Sequence, residues 1–424
     1  MSDPTTSKYQ RLNSNKLCET TLEFRDFLKE KVIDQDRAVK CLTRAYDLSI
    51  SPLKEEGPII SALFLGPSGV GKTATAEALA EYFFDDSNAF TKIPCANYTE
   101  RHLLSSLIGT SAGYVGYDDV PILSQEKIDR FAEEHIEKNF IRSDREYSTA
   151  KDEIEALEYQ LQLTGNKEAR ENIRKQIKVK KAILKRHLNK FRDQQLPISI
   201  VLFDEIEKAH RVLHNFLLEV TDKGLAHLQN GEITDFSNTF IIMTSNAGSQ
   251  AIANALKNKG SIGFLGGPTE VKDYDQRVYE AANKELKNIF PPELIGRIKQ
   301  NIVVYRPLGK ESFEKIFQLQ WTQMLNKLNK EKSFPIEIFF TAPAREFVIQ
   351  EAMDHPEYGA RLLKNKIAQY VKHPLASMIN SHQINPGDRI YVALKAKENE
   401  PDREGEKEIV LIKENNPSFR TTIK

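Results

Sequence analysis

The sequence predicts an α/β protein: a doubly wound parallel sheet of five strands, a smaller C-terminal α/β domain behind it, and an α-helical hairpin inserted into the first part. Three observations predict this. Five short apolar runs, SALFLG (61–66), TKIPCAN (91–97), ISIVLFDE (198–205), TFIIMTSN (239–246) and NIVVYRP (301–307), are separated by helical patterns. A glycine-rich loop joins the first run to a helical stretch. A strongly charged segment without proline, from about 126 to 196, interrupts the alternation of strands and helices.

In chain order, residues 1–25 read as a loose lead-in with no apolar segment of the signal-peptide kind. Residues 26–308 hold the five runs. Their lack of alternation suits strands buried on both faces, and the helices between them suit right-handed crossovers. Such a sheet binds ligands beyond the carboxyl ends of its strands.

Within the charged segment, 126–196, Ile154, Leu157 and Leu161 recur at helical spacing, as do Ile173, Ile177, Leu184, Leu188 and Phe191. LTGNKE between them supplies a break, so the segment reads as two amphipathic helices folded back on each other. The first arm is rich in acid (Glu133, Glu134, Glu137, Asp152, Glu153, Glu155, Glu158) and the second in base (Arg170, Arg174, Lys175, Lys178, Lys180, Lys181, Lys185, Arg186, Lys190, Arg192). Opposite charge across the seam favours pairing within the hairpin. The arm is then either solvated and self-matched or a docking element for a partner or substrate, and its surplus base leaves phosphate contact as a third reading.

Residues 309–424 open with a helical stretch that holds the only tryptophan, Trp321. A strand in FPIEIFFT, two helical segments and a hairpin, PGDRIYVALKA with EKEIVLIKE, follow.

The bulk composition narrows the function classes. The 60 basic and 60 acidic residues balance, so no global field draws the chain to nucleic acid or an anionic membrane. No run approaches the ~20 apolar residues of a membrane helix. The three cysteines, Cys18, Cys41 and Cys95, form no CxxC pair, which suits a reducing, cytoplasmic setting.

GPSGVGKT, residues 66–73, matches G-x-x-x-x-G-K-[ST] between a strand and a helix, the context that this motif requires. Its backbone N–H groups and the helix N-terminus suit a triphosphate, contributed by Gly66, Pro67, Ser68, Gly69, Val70, Gly71, Lys72 and Thr73. Lys72 would reach the β- and γ-phosphates and the Thr73 hydroxyl would bind Mg2+. Asp204 and Glu205 end the third apolar run; one carboxylate suits the magnesium shell, and the other suits activation of the attacking water. Two acids at a strand end are costly without a cation nearby. Asn246 ends the fourth run, where its amide would face the γ-phosphate or its water.

The order GPSGVGKT, GYVGY, VLFDEIEKAH, NTFIIMTSNAGS, PPELIGRIK and EYGARLLKN resembles the Clp family of hexameric AAA+ protein unfoldases. The resemblance runs from VIDQDRAV to the terminal hairpin and leaves out the charged insert. It implies the AAA+ P-loop NTPase fold with a C-terminal small (lid) domain, ATP and Mg2+ as ligands, and a ring of six copies. Asp204 and Glu205 then stand as the Walker B pair, Asn246 as sensor 1 and Arg361 as sensor 2. Arg297 stands as the arginine finger that one subunit offers its neighbour, a role worth ~10³-fold or more in rate. Without the resemblance both arginines read as ordinary surface or ion-pair residues. Val32 and Ile33 would line the adenine pocket. Tyr114 and Val115, between Gly113 and Gly116, would line the central channel and grip unfolded polypeptide, which a large flat ring does without needing specific hydrogen bonds. Ile262, Gly263 and Phe264 occupy the region that docks on a barrel peptidase in protease-coupled members; packing on their own domain is the other reading.

Three departures stand out: VIDQD has Asp34 where the family has glycine, GARLL has lost a proline to Leu362, and GRIK is closer to the single-ring branch. With no N-terminal substrate domain in the sequence, the insert is the expected recruitment element. The expected function is an ATP-driven unfoldase or remodelling chaperone that threads protein substrates through a hexameric pore, with a barrel peptidase or adaptor as further partner. The alternative is an AAA+ switch that controls assembly of a partner complex through the hairpin, without threading and without need of Tyr114.

Overall fold

The computed structural model describes residues 13, 16–111, 113, 119–143, 145–163, 167–192, 197–248, 280, 284–330, 336–355, 358–396 and 407–414. Helices α1 (Glu19–Lys31) and α2 (Asp36–Ser49) precede β1 (Ile60–Leu65), and α3 (Lys72–Phe84) follows the glycine-rich loop and leads to β2 (Thr91–Pro94). Helices α4 (Ser105–Ile108), α5 (Gln125–Ser143), α6 (Arg145–Leu163) and α7 (Lys167–Arg192) separate β2 from β3 (Ser199–Asp204). Then come α8 (Arg211–Lys223), a ribbon of β4 (Leu225–His227) and β5 (Ile233–Asp235), β6 (Thr239–Ser245), α9 (Pro292–Ile298) and β7 (Ile302–Val304).

The five strands expected from the apolar runs form one parallel sheet in the order β2-β3-β6-β1-β7. Burial explains why their sequences do not alternate. Ala62 and Phe64 of β1 and Phe240 and Ile242 of β6 enter one core with α1, α2 and α3. Leu63, Leu65, Ile241 and Met243 enter the other with α4, α8 and α9. Both faces are covered, so apolar residues occupy most positions and do not alternate. The first core is walled by an aromatic cluster in which Phe24 meets Tyr46 at 4.5 Å and Tyr82 at 5.0 Å between ring centroids.

Beyond β7 lies a separate core. Helix α10 (Lys310–Lys330) brings Phe313, Phe317 and Trp321 to it, β8 (Glu337–Phe340) brings Ile338, and α11 (Ala342–Met353) brings Val348 and Ile349. Helix α12 (Ala360–Ile367), a π-helical turn (Ala368–Lys372) and α13 (His373–Asn380) make one continuous run that adds Leu363, Val371 and Leu375. Strand β9 (Arg389–Ala396) lies between β8, parallel to it, and β10 (Lys407–Lys413), antiparallel to it. Among the described residues no helix is long and apolar enough to cross a membrane.

The charged segment differs from its expectation in one respect: it contains three helices, not two. Helices α6 and α7 pack against each other through Ile154 and Ile177, with Lys180 paired to Glu153 and Lys181 to Glu158 at 2.6 Å. Helix α5 belongs to the sheet instead. Ile128, Ala132 and Ile136 make a buried stripe under its charged surface, and Asp129 Oδ1 accepts the Ser199 hydroxyl at 2.6 Å. The high charge of 126–143 concealed that stripe. The β4–β5 ribbon was not expected either, although the Asn230–Gly231 turn between its strands is a hairpin signal.

Candidate nucleotide site

Strands β3, β6 and β1 are neighbours and run parallel, so their carboxyl ends meet on one edge. This alone brings together Asp204 and Glu205, Asn246 and the loop that starts at Gly66. Loop residues Gly69 and Gly71 have φ of 76° and 103°, a region open to glycine and strained for other residues. The turn delivers the chain to the N-terminus of α3, where unpaired N–H groups and the helix dipole favour an anion.

Lys72, the first residue of α3, is buried. Its ammonium donates to the carbonyl of Gly66, to that of Pro67 at 2.8 Å and to Asn246 Oδ1 at 2.9 Å. Burial pulls its pKa down to about 8 against the opposing pull of Glu207, Asp204 and Glu205; Arg361 adds to the fall. A desolvated cation surrounded by oxygen acceptors is poised to exchange them for phosphate oxygens.

The acids are organised by their neighbours. Thr244 donates its hydroxyl to Asp204 Oδ1 at 2.6 Å, and Lys92 on β2 pairs with Asp204 Oδ2 at 3.0 Å. Burial alone would raise the Asp204 carboxyl, but these hydrogen bonds and the charges of Lys92 and Lys72 hold it below its ordinary value. Glu205 has a left-handed backbone with φ 58° and ψ 52°. Its Oε1 accepts Asn246 Nδ2 at 3.1 Å and its Oε2 takes Lys208 Nζ at 2.6 Å. Asn246 thus touches both Lys72 and Glu205, bridging the glycine-rich loop and the acids.

Three residues that sequence reasoning passed over take part. Glu207 Oε1 accepts the Asn246 backbone N–H at 2.9 Å, and its Oε2 is buried without a hydrogen-bond partner among the described residues. Lys92 neutralises Asp204 from the next strand. Gln35, 4% exposed, reaches Val70 O at 3.3 Å and Arg306 O at 3.0 Å, and accepts the Arg306 N–H at 3.0 Å. It clamps the loop to the segment leading into α10. The only sequence signal for the first two was position: a third acid two places after Glu205, and a lysine in a short strand.

The remaining expected residues distribute as follows. Thr73 lies half-buried in the first turn of α3, and Val70 is buried beneath the loop. Val32 packs into the α1–α3 core, while Ile33 is half-exposed. Asp34 has φ 55°, the left-handed conformation a glycine would take freely, and its carboxylate accepts Ser312 Oγ at 2.5 Å and Lys315 Nζ at 3.1 Å from α10. Arg361, exposed at the start of α12, follows Ala360, whose N–H donates to Gly69 O at 3.0 Å. The lid therefore rests on the glycine-rich loop. Arg297 is bound on α8, to the Leu218 carbonyl and to Asp222 at 3.5 Å. Tyr114, Val115, Ile262, Gly263 and Phe264 lie outside the described residues.

The donor set fits a nucleoside triphosphate with Mg2+: glycine-loop N–H groups and Lys72 for phosphate, and the Thr73 hydroxyl and Asp204 carboxylate as hard oxygen ligands for the metal.

Comparison with known proteins gives the same outline. Residues 57–136 and 133–301 match the family described as AAA domain (Cdc48 subfamily). Residues 308–392 match the C-terminal, D2-small domain of ClpB protein. The chain is 32% identical over 381 residues to the ATP-dependent Clp protease ATP-binding subunit ClpC of Staphylococcus aureus, covering 90% of this chain and 37% of that protein. With the same subunit of Staphylococcus saprophyticus it shares 33% over 359 residues, covering 84% and 34%. The chain thus spans little more than a third of the length of the curated relatives that it matches. The fold is shared with S. cerevisiae Hsp104 in an extended complex with casein, at a TM-score of 0.62 and 24% identity over 90% of this chain and 51% of that one.

Proposed function

Since the chain belongs to the Clp family of AAA+ ATPases, we propose that it hydrolyses ATP in order to unfold or remodel proteins, threading polypeptide through a ring of six copies. The observation that carries this reading is the Lys72–Asn246–Glu205 cluster with Asp204 beside it, assembled on one sheet edge from three separate strands. The lysine and the loop N–H groups bind the phosphates. Glu205 takes a proton from the attacking water, and Asn246 aligns that carboxylate with the γ-phosphate that Lys72 holds. Mg2+, held by Thr73 and Asp204, would neutralise charge that develops on the phosphate oxygens.

Two arginines complete the proposal. Arg361 rides on the lid segment that touches the glycine loop, which suits a cation that senses bound nucleotide. Arg297 is fixed on its own subunit by Leu218 and Asp222, which suits an arginine presented to a neighbouring copy. The site is then complete only in an oligomer. The Hsp104 neighbours hold casein, and the staphylococcal relatives are named as the ATP-binding subunit of a protease. Protein substrates, cytoplasmic location and coupling to a barrel peptidase through Ile262, Gly263 and Phe264 form part of this proposal.

The test is ATP turnover together with unfolding of a tagged fluorescent protein, for wild type, Glu205→Gln and Tyr114→Ala. Loss of turnover in Glu205→Gln with nucleotide still bound supports the base. Loss of unfolding alone in Tyr114→Ala supports threading. A wild type that turns over ATP and unfolds nothing, matched by a fully functional Tyr114→Ala, replaces threading with an assembly switch worked through the hairpin.

A further inference from the structure

Thr244 stands two residues before Asn246 on β6 and has no part in the chemistry derived so far. It is 1% exposed, yet its hydroxyl is not spent on filling space. It accepts the Glu205 N–H at 3.0 Å and donates to Asp204 Oδ1 at 2.6 Å. The directions are fixed by chemistry: a peptide N–H only donates and a carboxylate only accepts, so the single hydroxyl proton goes to Asp204.

The location explains why the bond is needed. The β3–β6 register runs to Phe203 opposite Met243 and stops there. Immediately beyond, the chain turns sharply at Glu205 into a left-handed conformation that a residue with a side chain holds only when its surroundings enforce it. The Thr244 hydroxyl takes the N–H at that turn, and the same oxygen orients the neighbouring carboxylate.

We propose that Thr244 is a positioning residue for ATP hydrolysis, fixing the backbone of Glu205 and the carboxylate of Asp204 as one unit. This rests on the reading of Glu205 as the general base. A misplacement of the base by about 1 Å costs on the order of 100-fold in rate while leaving the phosphate contacts of the glycine loop in place.

The experiment compares full-length wild type, Thr244→Val, Thr244→Ser and Glu205→Gln for kcat, for KM and for affinity toward a non-hydrolysable ATP analogue, with a melting curve for each. Valine replaces the hydroxyl by a methyl of similar size, so packing is retained. The expected result is a kcat in Thr244→Val lowered roughly 10- to 100-fold, with KM and analogue affinity close to wild type, a modest fall in melting temperature from the lost hydrogen bonds, and rescue of kcat in Thr244→Ser. Wild-type kcat in Thr244→Val overturns the proposal. So does an equal fall in kcat, affinity and melting temperature, or a Thr244→Ser no better than valine, since each points to packing. Glu205→Gln separates the two claims. Wild-type turnover in Glu205→Gln overturns the base and the positioning role with it. An inactive Glu205→Gln beside a fully active Thr244→Val overturns the positioning role alone.

Discussion

Glu207 shows how much of this site depends on single atoms. One carboxylate oxygen holds the Asn246 backbone and the other is buried without a hydrogen-bond partner among the described residues. A hydrogen bond to a charged group contributes about 1.5–3 kcal/mol. Glu207→Ala is therefore expected to lower ATP turnover about tenfold or more, while Glu207→Gln, which keeps an acceptor for the Asn246 N–H, loses less; steady-state kinetics of the two variants checks the order. The motif residues Lys72, Asp204, Glu205 and Asn246 were legible because each ends an apolar strand or begins a helix in a recognisable pattern. Glu207, Lys92 and Gln35 were not. Each acts through a partner on another element, 39 residues away for Glu207 and 271 for the contact from Gln35 to Arg306.

Helix α8 is pinned by a buried histidine. His214 Nε2 lies 3.1 Å from the Ile206 carbonyl, so it carries the proton, and Nδ1 is buried with no hydrogen-bond partner among the described residues. Its ring packs on Phe290 at 5.0 Å. Burial pushes its pKa below the ordinary value of 6.5, with nearby Arg211 and His210 adding to the fall against the Ile206 hydrogen bond. The unfolded chain then binds this proton more readily than the native one, so stability falls as pH drops below about 6.5 toward the native value. Urea unfolding midpoints between pH 7.5 and 5.5 should fall in wild type and flatten in His214→Gln. A second contrast concerns the insert. Ile128 of α5 sits in the sheet core, whereas Ile177 is buried on α7, which packs mainly against α6. Ile128→Ala is expected to cost about 2–4 kcal/mol of global stability. Ile177→Ala should loosen the α6–α7 pair and leave ATP turnover unchanged. Denaturant titration and hydrogen exchange distinguish the two. Helices α6 and α7 were readable from the apolar spacing of Ile154, Leu157, Ile173 and Ile177; the role of α5 was not, because its charged surface hides the stripe of Ile128, Ala132 and Ile136.

At the scale of the molecule, the glycine loop and the lid meet backbone to backbone. Gly359 has φ 53°, and a Cβ placed there would lie 2.7 Å from Gly69 O and 2.8 Å from Ser68 O. Backbone on both sides leaves it no room. Gly359→Ala is expected to lift the lid off the loop, move Arg361 away from the site and weaken nucleotide binding about tenfold or more; a fluorescent nucleotide titration reads this directly. Asp34 works on the same boundary, joining the segment before the sheet to Ser312 and Lys315 of α10. The resemblance expects glycine at this position. In the fold Asp34 is a tie between the sheet and the lid.

The sequence by itself determined the five parallel strands, the glycine loop on its helix, the paired acids Asp204 and Glu205 and the asparagine at the neighbouring strand tip. All of these depend on local patterns, namely two-sided burial along a strand and a fixed spacing of residues around a turn. Only the tertiary structure decided strand order, and with it that β3, β6 and β1 stand side by side so that Glu205, Asn246 and Lys72 touch. It also decided that α5 belongs to the sheet, that Arg297 bonds to Leu218 and Asp222 of α8, and that Thr244, Glu207 and Gln35 bond to Asp204, Asn246 and Val70 respectively. The physical reason is range. Hydrophobic periodicity and turn chemistry act over a few residues, whereas a hydrogen bond between strand tips exists only after distant segments have packed.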